Sequence, residues 1–471
     1  MANGNDKNIL DPSAASQSGP TASVNNVIEV LYGSDDIKKA YPIPTNKIDK
    51  IQIKESFFSK LPTLKLVLSD IGTLFNTVGF QIGYTINVKI TPIVRNKDVI
   101  PRPYVNSNFT IQSINYVFDM DKKDYVYELN CIYPAEKYLN DICVWPITEI
   151  DALNIEKQYT SEALLRLICT RGGLGFYSNL TTEPSDSMAW LNCSLTYSEF
   201  AEKVTKHAWV GDNDMPILYV NKEGTAIYNT LNTMCNGATK YTYIQKTLYD
   251  MKYRPTGNNP NRKPSGYRTF TDMTFNNIGY IQNQGAYGVK TYIYNPYNLK
   301  SINPLAIKPA VPKNIKNVTL NDACLRYKEF HDNKIRVAQL SNKSPGQVKN
   351  FRYSFSKMHF KQTHENYDYA PQHNESIKRA FFQQFVSLTV DAVNQPDYDF
   401  DPLQMVYLGD KINIRVDTTY NPGTIQSGDY IVTGLVHNFY TKSNYTINII
   451  AANDGINGVG QLKKESDINK K

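Results

Sequence analysis

The sequence has no apolar run that approaches the roughly 18 residues needed to cross a bilayer as a helix, so no membrane span is predicted. Its N-terminus is polar and has no apolar core segment, and we do not expect it to be a secretory signal. Cysteine is scarce, with 6 in 471 residues and no CxxC pair, which excludes a disulfide miniprotein. Without an export signal we expect the cysteines to be reduced and mostly buried: Cys131, Cys143, Cys169, Cys193, Cys235 and Cys324.

The chain also has little excess of either charge. Its 51 basic and 44 acidic residues give a net charge of +7, spread along the sequence rather than gathered into a basic arm. Such a distribution is weak support for nucleic-acid binding. The ordinary hydrophobic content of 41% excludes a disordered chain, and nothing indicates a coiled coil or a collagen-like repeat.

Catalytic motifs are absent as well. The sequence contains no HExxH, P-loop, GxGxxG or GxSxG pattern. His359, His364 and His373 are the closest group of candidate metal ligands, but they lie in a loop-like stretch without a nearby cysteine. Cys169 and Cys193 have no identifiable histidine partner, and acids such as Asp119 and Asp121, or Asp397, Asp399 and Asp401, are better explained as turn residues. We therefore predict no metal, no cofactor and no enzymatic activity.

Tyrosine is abundant instead, with 34 residues against 19 Phe and 3 Trp. This abundance favours β-strands and partly solvent-exposed surfaces. The segment 26–134 contains short alternating stretches and is predicted to be an antiparallel barrel or sandwich. Within it, the alternation in residues 82–90 predicts that Ile82 and Ile86 share a buried face. Residues 1–25 are predicted to be a mobile arm.

The segment 135–256 is predicted to be an α+β insert. Apolar residues at helical spacing predict a helix over residues 161–169 that stops at Gly172 and Gly173, and a capping box starts a second helix after Thr196. Residues 217–228 read as a hairpin. Residues 257–379 mix strands, loops and a helix near 321–337, and residues 347–371 remain ambiguous between strand and loop. Residues 380–454 are strand-like, followed by a polar tail at 455–471.

The first and last regions resemble each other. Residues 82–90, IGYTINVKI, match residues 408–416, LGDKINIRV, with Gly, Ile and Asn in common. The match extends to 64–68 with 386–390, 109–114 with 430–435, and 125–129 with 445–449, so four strands recur in one order. The signature positions are Gly83, Ile86 and Asn87 in the first copy and Gly409, Ile412 and Asn413 in the second. We infer an internal duplication: two similar barrels around an insert.

The second copy, together with the phrase WLNCSLTYSEF at 190–200, resembles the central hub proteins of phage baseplates. This is the T-even type of hub, related to hub modules of Mu-like phages and type VI secretion spikes. The resemblance covers most of residues 26–454, but residues 295–350 have no counterpart in it. It implies a mainly β fold with two tube-like antiparallel barrels and a small α+β domain.

The resemblance further implies a structural virion protein, a homotrimer whose six barrels form a pseudo-sixfold ring between a hexameric tail tube and a trimeric spike. Implied partners are the tube protein, the spike, other baseplate proteins, the tape-measure protein and DNA passing through the lumen during genome ejection. The implied location is the baseplate of a contractile tail, after assembly in the host cytoplasm. Ile412 and Ile414 would be core, whereas Asn87, Lys89, Asn413 and Arg415 would face either the lumen or a subunit edge.

A rival hypothesis is a tail-tip cell-wall hydrolase or glycan-binding protein. Its site would lie in the insert and in residues 295–350, with Trp145, Trp190 and Trp209 stacking on sugars. A hub from a non-contractile tail is a third possibility.

Overall fold

The computed structural model describes only part of the chain, and the statements below concern that part. The described residues are 26–33, 40–69, 79–92, 103–120, 124–143, 158–180, 183–190, 192, 194–211, 214–245, 267–277, 289–294, 302–304, 352–357, 364, 366–367, 370–382, 384–391, 405–416, 427–440 and 445–453. Four predicted features lie outside these residues: the mobile N-terminal segment 1–25, the tail 455–471, the helix at 321–337 and most of the segment 295–350.

Strands dominate the described residues. The N-terminal region contains β1 (Asn26–Gly33), β2 (Tyr41–Pro42), a short 3₁₀ helix (Thr45–Lys47), β3 (Ile48–Ser56), β4 (Thr63–Leu68), β5 (Thr85–Pro92), β6 (Val105–Asp119) and β7 (Asp124–Ile132). The alternation of β4 buries Leu64, Leu66 and Leu68 while the residues between them stay half-buried. This period of two is what a sheet with one face on the core requires.

The middle region combines helices with a small sheet. It contains α1 (Glu136–Leu139), α2 (Ser161–Arg171), β8 (Gly175–Ser178), α3 (Tyr197–His207), β9 (Pro216–Val220), β10 (Thr225–Thr230), α4 (Leu231–Asn236) and β11 (Thr239–Gln245). Strands β8, β10 and β9 form a separate three-stranded sheet. Trp190, Phe200 and Tyr228 belong to a second hydrophobic cluster around α2 and α3.

The local predictions for this middle region are confirmed. Helix α2 ends at Arg171, two residues beyond the predicted end, and Gly173 follows with φ of 77°. Thr196 and Glu199 form the predicted capping box of α3. Strands β9 and β10 pair as the predicted antiparallel hairpin.

The C-terminal region returns to strands. It contains β12 (Tyr267–Phe270), β13 (Asp272–Asn277), β14 (Val289–Tyr294), β15 (Ile302–Pro304), β16 (Arg352–Lys357), α5 (Ala370–Phe381), β17 (Gln384–Asp391), β18 (Lys411–Arg415), β19 (Gly428–Tyr440) and β20 (Thr446–Asn453). Strands β15, β14 and β16 form their own small sheet. The ambiguous stretch 347–371 contains β16 and the first residues of α5. None of the described helices is long and apolar enough to cross a membrane.

The two predicted copies have the same strand order. In the first copy the neighbours run β4-β7-β6-β5, and in the second they run β17-β20-β19-β18. A β-bulge interrupts the β6–β7 ladder between Ile111 and Ser113, and another interrupts β19–β20 between Val432 and Gly434, the aligned positions. A shared bulge at one register position is a detail that generic alternation does not produce.

Both copies belong to one continuous sheet of 14 strands rather than to two separate ones. Strand β19 of the second copy pairs antiparallel with β3 of the first, which joins the copies edge to edge. Among the described residues the strand order is an open path, so the two closed tube-like barrels are not confirmed. What is confirmed is the mainly β class with few helices.

One core prediction is wrong. Ile82 lies in the turn before β5 and is 67% exposed, because Gly83 adopts φ of 88° and the strand begins only at Thr85. The alternation therefore starts later than the sequence pattern indicates. Ile86, Ile412 and Ile414 are fully buried, as expected.

Candidate functional site

The histidines and acids considered as ligands or catalysts do not form a reactive cluster in the described part of the chain. No group of three or more His, Cys, Asp or Glu side chains there could hold a metal ion. His364 contacts the backbone oxygen of His207 at 3.0 Å, whereas His373 packs its ring against Trp209. His359, Asp121, Asp397, Asp399 and Asp401 lie outside the described residues.

Cys169, Trp190 and Trp209, the candidate nucleophile and sugar-stacking residues that the structure describes, are buried. Burial raises the pKa of the Cys169 thiol to about 12, the opposite of what a nucleophilic thiolate needs. Trp190 and Trp209 are buried in the middle region, and the indole N–H of Trp190 donates to the backbone oxygen of Tyr159 at 2.8 Å. These tryptophans do not line an open cleft. Trp145 and Cys193 lie outside the described residues.

The six signature residues occupy equivalent places in the two copies. Gly83 and Gly409 have φ of 88° and 85°, and their N–H groups donate to Ile111 and Val432 at 2.8 and 2.9 Å. The isoleucines of the signature, Ile86 and Ile412, are both buried. A left-handed glycine thus turns the chain into β5 and into β18 in the same way.

The signature asparagines make one cross-strand hydrogen bond each. The amide of Asn87 donates to Asn108 at 2.7 Å, and that of Asn413 donates to Asp429 at 2.8 Å, across matching strand pairs. Lys89 lies on the same strand as Asn87 and pairs with Glu29 at 3.2 Å. Arg415 is exposed at the end of β18. Whether these two basic residues face a lumen or a subunit edge stays a prediction.

A buried polar cluster lies where the two copies and the middle region meet. We call it the junction; it consists of Glu55 from β3, His437 from β19, Tyr445 beside β20, and Lys222 and Glu223 from the β9–β10 turn. One Glu55 carboxylate oxygen lies 3.1 Å from His437 Nε2, and the other accepts from the Lys222 backbone N–H at 2.7 Å. His437 Nδ1 lies 2.7 Å from the Tyr445 hydroxyl.

The partners of His437 define its tautomer. An ionised carboxylate can only accept, so the Glu55 contact requires the proton on Nε2, and Nδ1 then accepts from the Tyr445 hydroxyl. Burial lowers the pKa of His437 and outweighs the contact with Glu55, so the imidazole is neutral at pH 7. Two hydrogen bonds therefore satisfy both of its nitrogens.

Glu55 and Lys222 are the charged members of the junction. Burial alone would raise the pKa of Glu55, but the Lys222 charge and the His437 hydrogen bond lower it overall. Burial alone would lower the pKa of Lys222, but Glu55 and Glu223 raise it overall. Lys222 Nζ lies 2.9 Å from Glu223 and 5.0 Å above the Tyr407 ring, so its charge is compensated from two sides. Apart from the exposed Glu223, the members of the junction are buried, and together they connect three parts of the chain.

The neutral His437 predicts acid lability. Below about pH 6.5 the unfolded chain binds a proton at this position and the folded chain does not. The free energy of unfolding therefore decreases as the pH is lowered, by at most about 1.4 kcal/mol per pH unit. Asp214 acts in the opposite sense, because burial raises its pKa to about 6 and the folded chain binds the extra proton. Urea unfolding between pH 7.5 and 5.5 should therefore show the loss most clearly in an Asp214→Asn background. Stability that stays constant or rises on acidification of that variant would contradict the assignment.

An exposed apolar surface lies at the end of the long β6–β7 hairpin. We call it the arm; it comprises Tyr116, Val117, Phe118, Met120 and Tyr125. Tyr116 packs on Tyr127 at 6.1 Å and Phe118 on Tyr125 at 5.2 Å between ring centroids, yet Tyr116 remains 68% exposed. A contiguous exposed patch of aromatic residues is typical of a contact surface. The sequence does not reveal this surface, because Tyr116 and Phe118 alternate as their buried counterparts in the second copy do.

Comparison with known proteins supports the fold. No family model and no curated protein matches the sequence. The tail protein from Neisseria meningitidis MC58 is similar in structure, with a TM-score of 0.51, 11% identity, and coverage of 92% of this chain and 98% of that one. This chain therefore has the fold of a tail protein.

Two further solved structures rank among the similar ones. The 43 kDa tail protein of prophage MuSo2 from Shewanella oneidensis has a TM-score of 0.49 and 10% identity, over 92% of this chain and 99% of that one. The half-lidded PdpA-VgrG complex of Francisella has a TM-score of 0.42 and 9% identity, over 94% of this chain and 60% of that one. At the level of the fold, the similarity to the tail protein from Neisseria meningitidis confirms the resemblance to tail proteins that the sequence motifs indicated.

Proposed function

We propose that this chain is a structural component of a phage tail, the central hub of a contractile baseplate, and that it acts without catalysis. Three copies form a ring in which six similar modules stand around one axis. In this proposal each repeat curls into a tube-like barrel, the ring meets a hexameric tail tube on one side, and a trimeric spike binds on the other. The tape-measure protein and the ejected DNA would pass through the lumen.

The observation that carries this proposal is the duplication within one sheet. Two copies with the same strand order, the same bulge and the same signature hydrogen bonds lie edge to edge in a single chain. A closed ring of such chains has twice as many similar modules as subunits, so a threefold ring can match a sixfold partner. The fold shared with a tail protein supports the same setting.

The proposal predicts a trimer of about 161 kDa, three times the 53.6 kDa chain, by light scattering of the purified protein. It also predicts that the chain co-purifies with the trimeric spike protein of the same tail and that virions contain it in the baseplate. A chain that remains monomeric and does not bind the spike would overturn the proposal. Release of soluble fragments from purified peptidoglycan would instead support the rival hydrolase.

A further inference from the structure

The second copy shows how the far half of its long strand is covered. The first half of β19 pairs with β18, and the second half, residues 434–440, pairs with β3 of the first copy. In this register His437 lies opposite Ile53, Asn438 opposite Gln52, and Phe439 opposite Ile51. All three β19 residues are buried, and the side chains of Gln52 and Asn438 hydrogen-bond at 2.8 Å.

The equivalent half-strand of the first copy lacks such a cover. The first half of β6 pairs with β5, whereas residues 113–119 pair only with β7 among the described residues. Tyr116, Val117 and Phe118 are aligned with His437, Asn438 and Phe439, and they are exposed rather than buried. The arm is thus the uncovered counterpart of a surface that is covered elsewhere in the same chain.

The second copy in turn has an equivalent of the covering strand. Strand β13 pairs antiparallel with β17 as β3 pairs with β4, and Met273 and Phe275 take the places of Ile51 and Ile53. The other edge of β13 has no partner among the described residues. Met273 and Phe275 are half-buried, and Thr274 between them is exposed. Edges of this kind are sites for strand addition.

We propose that β6 of one subunit pairs antiparallel with β13 of the next, repeating between chains the β19–β3 contact found within one chain. The inference rests on the proposed ring and identifies the strands that close it. Transferring the internal register places Tyr116 opposite Phe275, Val117 opposite Thr274, and Phe118 opposite Met273. The next pair, Asp119 with Asp272, carries like charges, so the ladder ends at Phe118.

The chemistry of the transferred register supports this pairing. Two of its three central pairs join an aromatic ring to another large apolar side chain, which is a favourable cross-strand combination. The contact is head-to-tail, because the arm lies in the first copy and β13 in the second. Such a contact propagates in one direction and closes only as a ring, as the proposed function requires.

Disulfide trapping in the full-length chain tests the register. The double variant Val117→Cys with Thr274→Cys should convert the 53.6 kDa band on a non-reducing gel into a covalent trimer after mild oxidation. Directly opposed residues have Cα atoms about 4.5–5.5 Å apart, within the range that a disulfide bridges. The described native cysteines, Cys131, Cys143, Cys169 and Cys235, are buried, and the wild-type chain measures any background from the others.

The matched control moves one cysteine by two residues on the same exposed face. With Val117→Cys and Asn276→Cys, the yield of covalent trimer should fall about tenfold, because diagonal positions exceed the reach of a disulfide. A noncovalent trimer without a cross-link in the Thr274 variant would overturn the strand pairing but leave the ring. A monomer would overturn the proposed function itself. A covalent dimer from Val117→Cys alone would show a twofold contact between arms instead.

Discussion

The substitution Glu55→Gln is expected to lower the free energy of unfolding by about 2–4 kcal/mol, because it removes a buried charge and one of the two buried hydrogen bonds that this charge accepts. Glutamine keeps the shape of Glu55, and its one carbonyl oxygen can accept from either the Lys222 backbone N–H or His437, but its amide nitrogen cannot accept from the other donor. It removes the negative charge, however, and leaves the buried Lys222 ammonium with Glu223 and the Tyr407 ring. The loss should be visible in urea unfolding at pH 7.5.

A matched control is available in an exposed ion pair of the first copy. Glu29→Gln breaks the 3.2 Å contact with Lys89, where solvent screens both charges, and should cost less than about 1 kcal/mol. Adding Lys222→Met to Glu55→Gln should recover part of the loss, because it removes a buried positive charge that Glu55 no longer helps to balance. Equal losses for Glu55→Gln and Glu29→Gln would show that the junction does not hold the copies together.

The second large effect is expected at Gly409, and it should be larger than at Gly83, the equivalent glycine of the first copy. Gly409→Ala should cost about 2–4 kcal/mol, whereas Gly83→Ala should cost about 1–2 kcal/mol. Both residues have positive φ, so both variants bear backbone strain. A Cβ atom on Gly409 would also lie 2.8 Å from the Tyr219 hydroxyl and 3.1 Å from the Met234 sulfur, whereas one on Gly83 meets nothing within 4 Å.

The clash at Gly409 has a specific consequence. The Tyr219 hydroxyl donates to the Leu408 carbonyl at 3.0 Å, so displacing the ring breaks a buried hydrogen bond between the middle region and the second copy. Comparing the thermal unfolding of the two alanine variants measures the difference directly. Similar destabilisation of both would mean that backbone strain alone accounts for the glycines.

Much of the sheet could be predicted from the sequence, because the patterns that specify a strand or a turn lie within a few consecutive residues. Alternation and turn residues predicted the strands, and four aligned strands predicted the order that the structure shows twice. The capping box of α3 and the glycine stop of α2 are equally local signals. The prediction failed at Ile82, since a period of two cannot show where a turn ends and a strand begins. The proposed domain boundaries at 134, 256 and 379 stay a prediction.

The two surfaces that matter most could not be predicted in the same way. Glu55 lies 167 positions from Lys222 and 382 positions from His437, and no local pattern connects residues so far apart. The arm reads as an ordinary strand, because Tyr116 and Phe118 have the same alternation as their covered counterparts. The aligned residues differ in burial, and burial depends on whether another strand lies on that edge.

The scarcity of cysteine, of long apolar runs and of catalytic motifs, together with a repeated strand signature, determined the class of the protein: a β-rich, duplicated chain with no recognisable catalytic pattern. Composition and the periodicity of short segments are enough to reveal these properties, because neither depends on contacts between distant parts of the chain. The tertiary structure decided how the copies meet, because pairing β19 with β3 brings distant strands into one ladder and buries the charges between them. It also decided which of two equivalent strand edges remains exposed. Strand β3 of the first copy covers the edge of β19, whereas no described strand of the same chain covers the equivalent edge of β6.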